Sequence, residues 1–412
     1  MELKFILTAS LFCLSALAAH GQDEESLRFR YKGFVDTYHA VRSQSPGDYM
    51  SSRTRARFEA TLEKGDVSAF VSMNALYNGK MEDESGFFLR EAYLSYQKNG
   101  WDLKAGQQII SWGVADGLRI TDQISPMDYS EFLAQDYDDI RVPVGAVRLG
   151  YGTPSFHIEG VFVPVPEFFV LPADTLNPWA VTMNGTACSM NDRQPQSKLK
   201  NSEYGIRASF YFSGIDFSLC ALRTWNKMPA FIVNGYSPQS KMLDVTTAYD
   251  RMTMVGADLS LPINKFVLRA EVAENFGELQ SLSAIGAKPV AKDVTNVLIG
   301  VDWYPGNDWT VMLQYQHTYI SGYESGISAY RHTGMATANI KKELLRNTLK
   351  LSAMGRFDCA NEGAFFIRFN ADYLLTDQIT LTAGYDWFNA TKGTFAMYRD
   401  NSEAFVKAKF SF

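Results

Sequence analysis

Past the first two dozen residues the chain is written in period two. In 403–412 the positions Ala404, Val406, Ala408, Phe410 and Phe412 share one face, and Phe405, Lys407, Lys409 and Ser411 the other. In 53–63 the face of Arg53, Arg55, Arg57, Glu59, Thr61 and Glu63 alternates with that of Thr54, Ala56, Phe58, Ala60 and Leu62. One-for-one alternation is the signature of a strand with unlike surroundings on its two sides. The same pattern predicts strands at 27–39, 51–63, 66–78, 86–98, 100–111, 142–152, 154–164, 202–213, 215–225, 251–261, 264–275, 293–304, 308–320, 332–342, 347–358, 363–375, 378–389 and 402–412. Tight turns such as 63–66, 98–100, 262–264 and 305–308 alternate with longer, irregular connections.

Short and long connections in strict alternation, with an even strand number, predict an all-β fold. It is a single antiparallel up-and-down transmembrane β-barrel of about 18 strands, with short periplasmic turns and long extracellular loops. Sixteen is the alternative, because 332–342 is the weakest strand. Either number encloses an aqueous lumen. The chain ends on Phe412, and Phe410 and Phe412 on the greasy face of the last strand resemble the assembly signal read by the barrel-assembly machinery of bacterial outer membranes. Outer-membrane lipid is the expected surrounding.

The N-terminus adds export. Lys4 is followed by an apolar run over 5–19 and then by small residues, with Ala19-His20-Gly21 as cleavage site and Ala16-Leu17-Ala18 as an alternative. Residues 1–21 read as a signal peptide and 22–412 as the barrel, since the apolar run is shorter than the ~20 residues a spanning helix needs. The aromatic share of 14% suits lipid-facing positions and interfacial girdles. A net charge of −6 gives no reason to expect nucleic acid. No metal-ligand spacing links His39, His157, His317 and His332, and no cofactor is expected. Three cysteines follow the leader, an odd number that argues against a disulfide framework; Cys188 and Cys359, both in predicted outer loops, are open to pairing.

Charge on the lipid face near the midplane costs about 2–4 kcal/mol, so the charged member of each alternating pair should point inward. That places Arg28, Arg30 and Lys32 of the first strand, Arg53, Arg55 and Arg57 of the second and Lys407 and Lys409 of the last on one basic strip, because closure makes these strands neighbours. Arg90 and Glu91 are adjacent, so Glu91 is expected inside and Arg90 near the outer rim. The acids concentrate in the third outer loop, as Asp116, Asp122, Asp128, Glu131, Asp136, Asp138 and Asp139. Ser125-Pro126-Met127-Asp128 within it reads as a helix start. A loop this long is expected to fold into the barrel, setting its acids across from the strip as a constriction.

The run Leu89-Arg90-Glu91-Ala92-Tyr93-Leu94-Ser95-Tyr96, then Ala105-Gly106-Gln107-Gln108, Ser111-Trp112-Gly113 and Ile124-Ser125-Pro126-Met127-Asp128, resembles a group of Gram-negative outer-membrane proteins described as porin-like or alginate-export-like barrels. The ending through Tyr385-Asp386 to Phe412 is similar to that group as well. The resemblance implies a passive channel and names no solute; 155–345 carries no matching motif. The expectation is an outer-membrane porin for small hydrophilic solutes, anion-preferring and open to homotrimer formation. The alternatives are a surface adhesin and a hydrophobic-substrate transporter on the same barrel. An enzyme would need a nucleophile that His157 with Glu159 does not bring.

Overall fold

The computed structural model describes residues 26–183, 185–361, 363–393 and 395–412. The signal peptide expected at 1–21 lies outside the described residues. In chain order the strands are β1 Arg28–Arg42, β2 Tyr49–Lys64, β3 Val67–Asn78, β4 Gly86–Lys98, β5 Trp101–Gln108, β6 Val144–Gly152, β7 Phe156–Val163, β8 Thr182–Met183, β9 Thr186–Asn191, β10 Glu203–Phe212 and β11 Ile215–Trp225. They continue as β12 Ala230–Ser237, β13 Met242–Ala248, β14 Arg251–Ile263, β15 Phe266–Gln280, β16 Val290–Gly306, β17 Trp309–Ile320, β18 His332–Leu344, β19 Leu349–Asp358, β20 Phe365–Leu374, β21 Ile379–Asn389 and β22 Glu403–Ser411.

Eighteen of these close one antiparallel ring, in which β7 pairs with β10, β11 with β14, and β22 with β1. Strand 332–342 is part of the ring as β18, which decides for eighteen strands over sixteen. The remaining four, β8, β9, β12 and β13, form a separate sheet in the long connections, with β13 and β9 parallel. No described helix is long and apolar enough to cross a membrane.

The burial pattern is that of a soluble protein turned inside out. On β16, Val297 and Ile299 are 37% and 65% exposed, whereas Asn296 and Asp302 are 8% and 1% exposed. The same inversion runs round the ring: Phe58, Leu149, Ile206, Leu219, Val255, Leu313, Phe369 and Val406 face out. An apolar belt of this extent is stable only in an apolar surrounding.

The closing seam depends on one small residue. Gly33 and Phe412 exchange both backbone hydrogen bonds at 2.9 Å. A Cβ on Gly33 would lie 2.6 Å from the Phe412 ring and 2.5 Å from the Arg57 carbonyl oxygen, so the ring can lie flat on the seam only over glycine. Short hairpins use left-handed residues, as at Asn99-Gly100 with φ of 51° and 83°, which match the twist of the paired strands.

Candidate functional site: a loop pinned across the lumen

Residues 109–143, between β5 and β6, are bonded to inward-facing side chains on both sides of the ring. Counting round it, β2 and β15 take the second and eleventh places of eighteen, nine apart in either direction, so they are opposite walls. The segment reaches both.

Its first half seats on β15 and its neighbours. The Ile109 amide donates to Glu91 Oε1 at 2.9 Å, turning the chain inward as it leaves β5. Ile110, Trp112, Ile120 and Ile124 then pack on inward apolar residues of the wall, among them Val144, Val161, Leu222, Met254 and Leu298. At the centre, the Glu271 carboxylate of β15 accepts the amides of Val114, Ala115 and Thr121 and the Thr121 hydroxyl. Gly113 passes over the same carboxylate with φ of 96°, where a Cβ would lie 2.8 Å from Oε1. Arg269 Nη1 donates to the Val114 carbonyl at 2.7 Å, and Gln314 on β17 exchanges two hydrogen bonds with the Asp116 backbone.

The second half seats on the opposite wall through charge. Asp139 lies 2.6 Å from Arg57, 2.9 Å from Arg55 and 3.6 Å from Arg90. Glu131 accepts from the Ser51 hydroxyl and from Asn78 Nδ2, both at 2.7 Å, with Arg53 at 3.8 Å. Arg368 on β20 donates to the Leu133 carbonyl at 2.8 Å. Within the loop, Arg141 pairs with Asp122 and with Asp138, which itself is 88% exposed. Burial opposes the charge on Asp139, yet the Arg55, Arg57 and Arg90 guanidiniums hold its carboxyl well below the usual carboxylate range. Burial prevails at Glu131, whose carboxyl is raised against the pull of Arg53.

Two expectations are corrected. Ser125 does not start a helix: its hydroxyl accepts the Ile110 amide at 3.0 Å, Asp128 Oδ1 accepts the Ser130 amide in a turn, and Met127 and Asp128 make single β-bridges to Arg141 and Val170. Arg90 is not at the outer rim. Pairing between β3 and β4 steps from Ser72↔Glu91 to Met73↔Leu89, so Arg90 is the extra residue of a bulge and can face the loop beside Glu91.

The eight strip cations divide in two. Arg53, Arg55, Arg57 and Lys407 meet the loop, Lys407 lying 3.6 Å from Asp136 and 3.8 Å from Asp36. Arg28, Arg30 and Lys32 stay exposed at the short-turn mouth, where Arg30 pairs with Glu63 and Lys32 with Glu59 at 3.1 Å. Lys409 sits over the Phe34 ring at 4.2 Å. Glu131, Asp136 and Asp139 are thus in contact with the upper strip rather than across a gap from it, while Asp122 and Asp138 pair with Arg141 inside the loop. Sequence reasoning missed Asp36, which takes Arg55 at 2.7 Å; its parity with Lys32 on β1 already put it inside. It also missed Asp258 and Asp386, the partners of Arg207 and Arg368.

His157 Nε2 donates to the Asp102 carboxylate at 2.9 Å, while Glu159 accepts from Arg148 and from the Trp112 indole N–H, so the two form no pair of their own. Cys188, Cys220 and Cys359 are all free. No described group of His, Cys, Asp and Glu is arranged to hold a metal ion.

The family model described as "Protein of unknown function (DUF1302)" matches residues 35–373. No curated protein matches the chain. Among solved structures, the chain is similar to OccAB3 of Acinetobacter baumannii, at 10% identity over 93% of this chain and 99% of that one, with a TM-score of 0.52. The outer-membrane channel DcaP of the same organism aligns at 13% identity over 95% and 99%, with a TM-score of 0.47. OmpT, an outer-membrane protein of Vibrio cholerae, aligns at 10% identity over 94% and 100%, with a TM-score of 0.46. At these identities the likeness to OccAB3 is one of fold.

Proposed function

The chain belongs to the family described as "Protein of unknown function (DUF1302)", a description that carries no activity, and from the geometry we propose that it is a passive outer-membrane channel for small hydrophilic solutes. In this reading residues 1–21 direct export, 22–412 form the barrel, and 109–143 set the bore. The observation that carries it is the combination of an eighteen-stranded ring, a polar lumen and one loop anchored to opposite walls. Side chains fill an eight-stranded barrel but not one of this width, so water fills what the loop leaves free.

The preference we assign is for anions. Most inward acids that lie beside a cation are matched by it: Asp36 and Asp139 by Arg55, Glu159 by Arg148, Asp302 by Arg269, Asp386 by Arg368. Glu91 and Glu271 are bonded to loop amides. Lys104 and Lys409 instead lie over the rings of Tyr93 and Phe34, and Arg356 bonds a carbonyl, with no carboxylate at ion-pair distance among the described residues. Exchangeable cationic sites favour carboxylate, phosphate or sulfate groups in transit.

A liposome-swelling assay tests the reading. Vesicles carrying the refolded protein are expected to swell in arabinose and to resist swelling in the tetrasaccharide stachyose. Vesicles that swell in neither would contradict a diffusion channel, and swelling at equal rates in both would contradict a bore set by the loop.

A further inference from the structure

Above the loop, on its long-connection side, two cavities lie side by side. One, of about 390 Å³, is walled by Phe132, Leu133, Phe366, Phe388, Phe395 and Tyr398. The other, of about 660 Å³, is mostly polar and includes Arg119 and Arg356. Tyr129, Tyr137 and Arg356 line both, so the two adjoin at these side chains. The volumes are those of small-molecule sites, which pair an apolar lining with a few placed polar groups.

The polar groups at the junction are incompletely matched. Arg356 Nη2 donates to the Gly117 carbonyl at 2.9 Å, and the guanidinium has no carboxylate partner among the described residues. Arg119 donates from Nε and Nη2 to the Asp122 carbonyl and lies 4.0 Å from the Asp122 carboxylate, which Arg141 already holds. Its Nη1 is buried without a hydrogen-bond partner. Both guanidiniums line the polar cavity, and both pull against the burial that pushes the Tyr137 phenol up to about 12. Arg368 borders the apolar part but is held on two atoms by Asp386, at 2.7 and 2.6 Å, and offers no free charge. Lys227 is likewise held by Glu203 at 2.6 Å; Glu278 accepts from the Asn275 and Gln280 amides and has no cation at ion-pair distance among the described residues.

We infer that this vestibule binds an amphipathic anion: an apolar ring or short chain lying against Phe132, Phe366, Phe388 and Tyr398, with one carboxylate or similar group between Arg119 and Arg356. The inference rests on the channel reading and names its preferred cargo. A wholly polar anion would leave the aromatic wall facing water. A neutral apolar solute would leave the Arg356 guanidinium without a counter-charge. Only a molecule with both halves satisfies both surfaces.

The test is calorimetric titration of the folded full-length protein in detergent with sodium 2-naphthoate, and with its two halves, acetate and 2-naphthalenemethanol, after subtraction of empty micelles. Saturable binding of naphthoate is expected, with each half weaker by about tenfold or more, as loss of a charge-assisted hydrogen bond or of the ring contacts implies. Arg356→Gln and Arg119→Gln should each weaken naphthoate by a similar factor, and Arg356→Lys should recover part of it. Folding of each variant is read from its heat-modifiable migration, and either variant alone suffices. No saturable binding, equal affinity for the alcohol, or indifference to both arginine variants would overturn the site. Naphthoate binding by a protein that passes no current would keep the site and overturn the channel. Current without naphthoate recognition would do the reverse.

Discussion

Glu271→Ala is expected to release the first half of the lumen loop and give a larger, noisier single-channel current than the parent. The carboxylate receives three backbone N–H groups and one hydroxyl from 114–121. Hydrogen bonds to a charged acceptor contribute about 1.5–3 kcal/mol each, and a buried donor left without a partner costs about 1–3 kcal/mol. Alanine offers no acceptor, so the half-buried amides of Val114 and Ala115 and the buried amide of Thr121 lose theirs together, which favours departure from the wall. The apolar seat of Ile110, Trp112, Ile120 and Ile124 is the opposing term, which keeps the loop near the wall and makes the current fluctuate rather than step to one wide state. Trypsin supplies an independent reading: cleavage after Arg119 should be fast in the variant and slow in the parent, where its side chain is 11% exposed. An unchanged current with unchanged proteolysis would remove Glu271 from the account.

At the other wall, Asp139→Asn is expected to shift the reversal potential further toward chloride and to loosen 131–141. Asn keeps the shape and removes the charge that Arg55, Arg57 and Arg90 share. Breaking a buried pair by neutralising one partner costs about 3–5 kcal/mol, because the remaining charge stays desolvated. Here three guanidiniums are left with Asp36 and the distant Glu131, so solvent anions take the place of the lost carboxylate.

The same site fixes the pH dependence. A carboxylate whose folded pKa is depressed contributes stability that is present above its unfolded value of about 3.9 and is lost as pH falls through the folded value. Asp139 is depressed. The parent's latch should therefore hold unchanged between pH 7 and pH 5 and weaken only below about 3.9. Asp139→Asn should show no such acid transition. Single-channel amplitude recorded across that range decides it.

Much of the barrel was legible because it is local. Alternation over about ten residues fixes which face of each strand meets lipid, and a strand slipped by one residue would expose its whole charged face. The ring order followed from short turns such as Asn99-Gly100 and 262–264. The site was legible only in its charges. Arg53, Arg55 and Arg57 were placeable by parity, and the acid-rich 116–139 by composition. Their pairing was not, because it joins residues 78 to 84 positions apart through a loop with no periodicity. Arg90 was misplaced for the same reason: a bulge shifts parity by one, and nothing in Leu89-Arg90-Glu91 marks it.

The small sheet of β8, β9, β12 and β13 escaped because its parallel pairing joins separate loops. The aromatic vestibule is assembled from still more distant parts, with Phe132, Phe366 and Tyr398 brought together only by closure. The apolar seat for the loop was masked too: Val161, Leu222 and Met254 are greasy residues facing the lumen, where alternation alone predicts polar ones.

The most direct measurement is the current of the refolded wild-type protein in a planar bilayer under a KCl gradient. The account predicts a steady single-channel conductance with a reversal potential displaced toward chloride. A reversal potential displaced toward potassium would mean that the loop acids, rather than Lys104, Lys409 and Arg356, govern the bore. Absence of any current would contradict the channel itself.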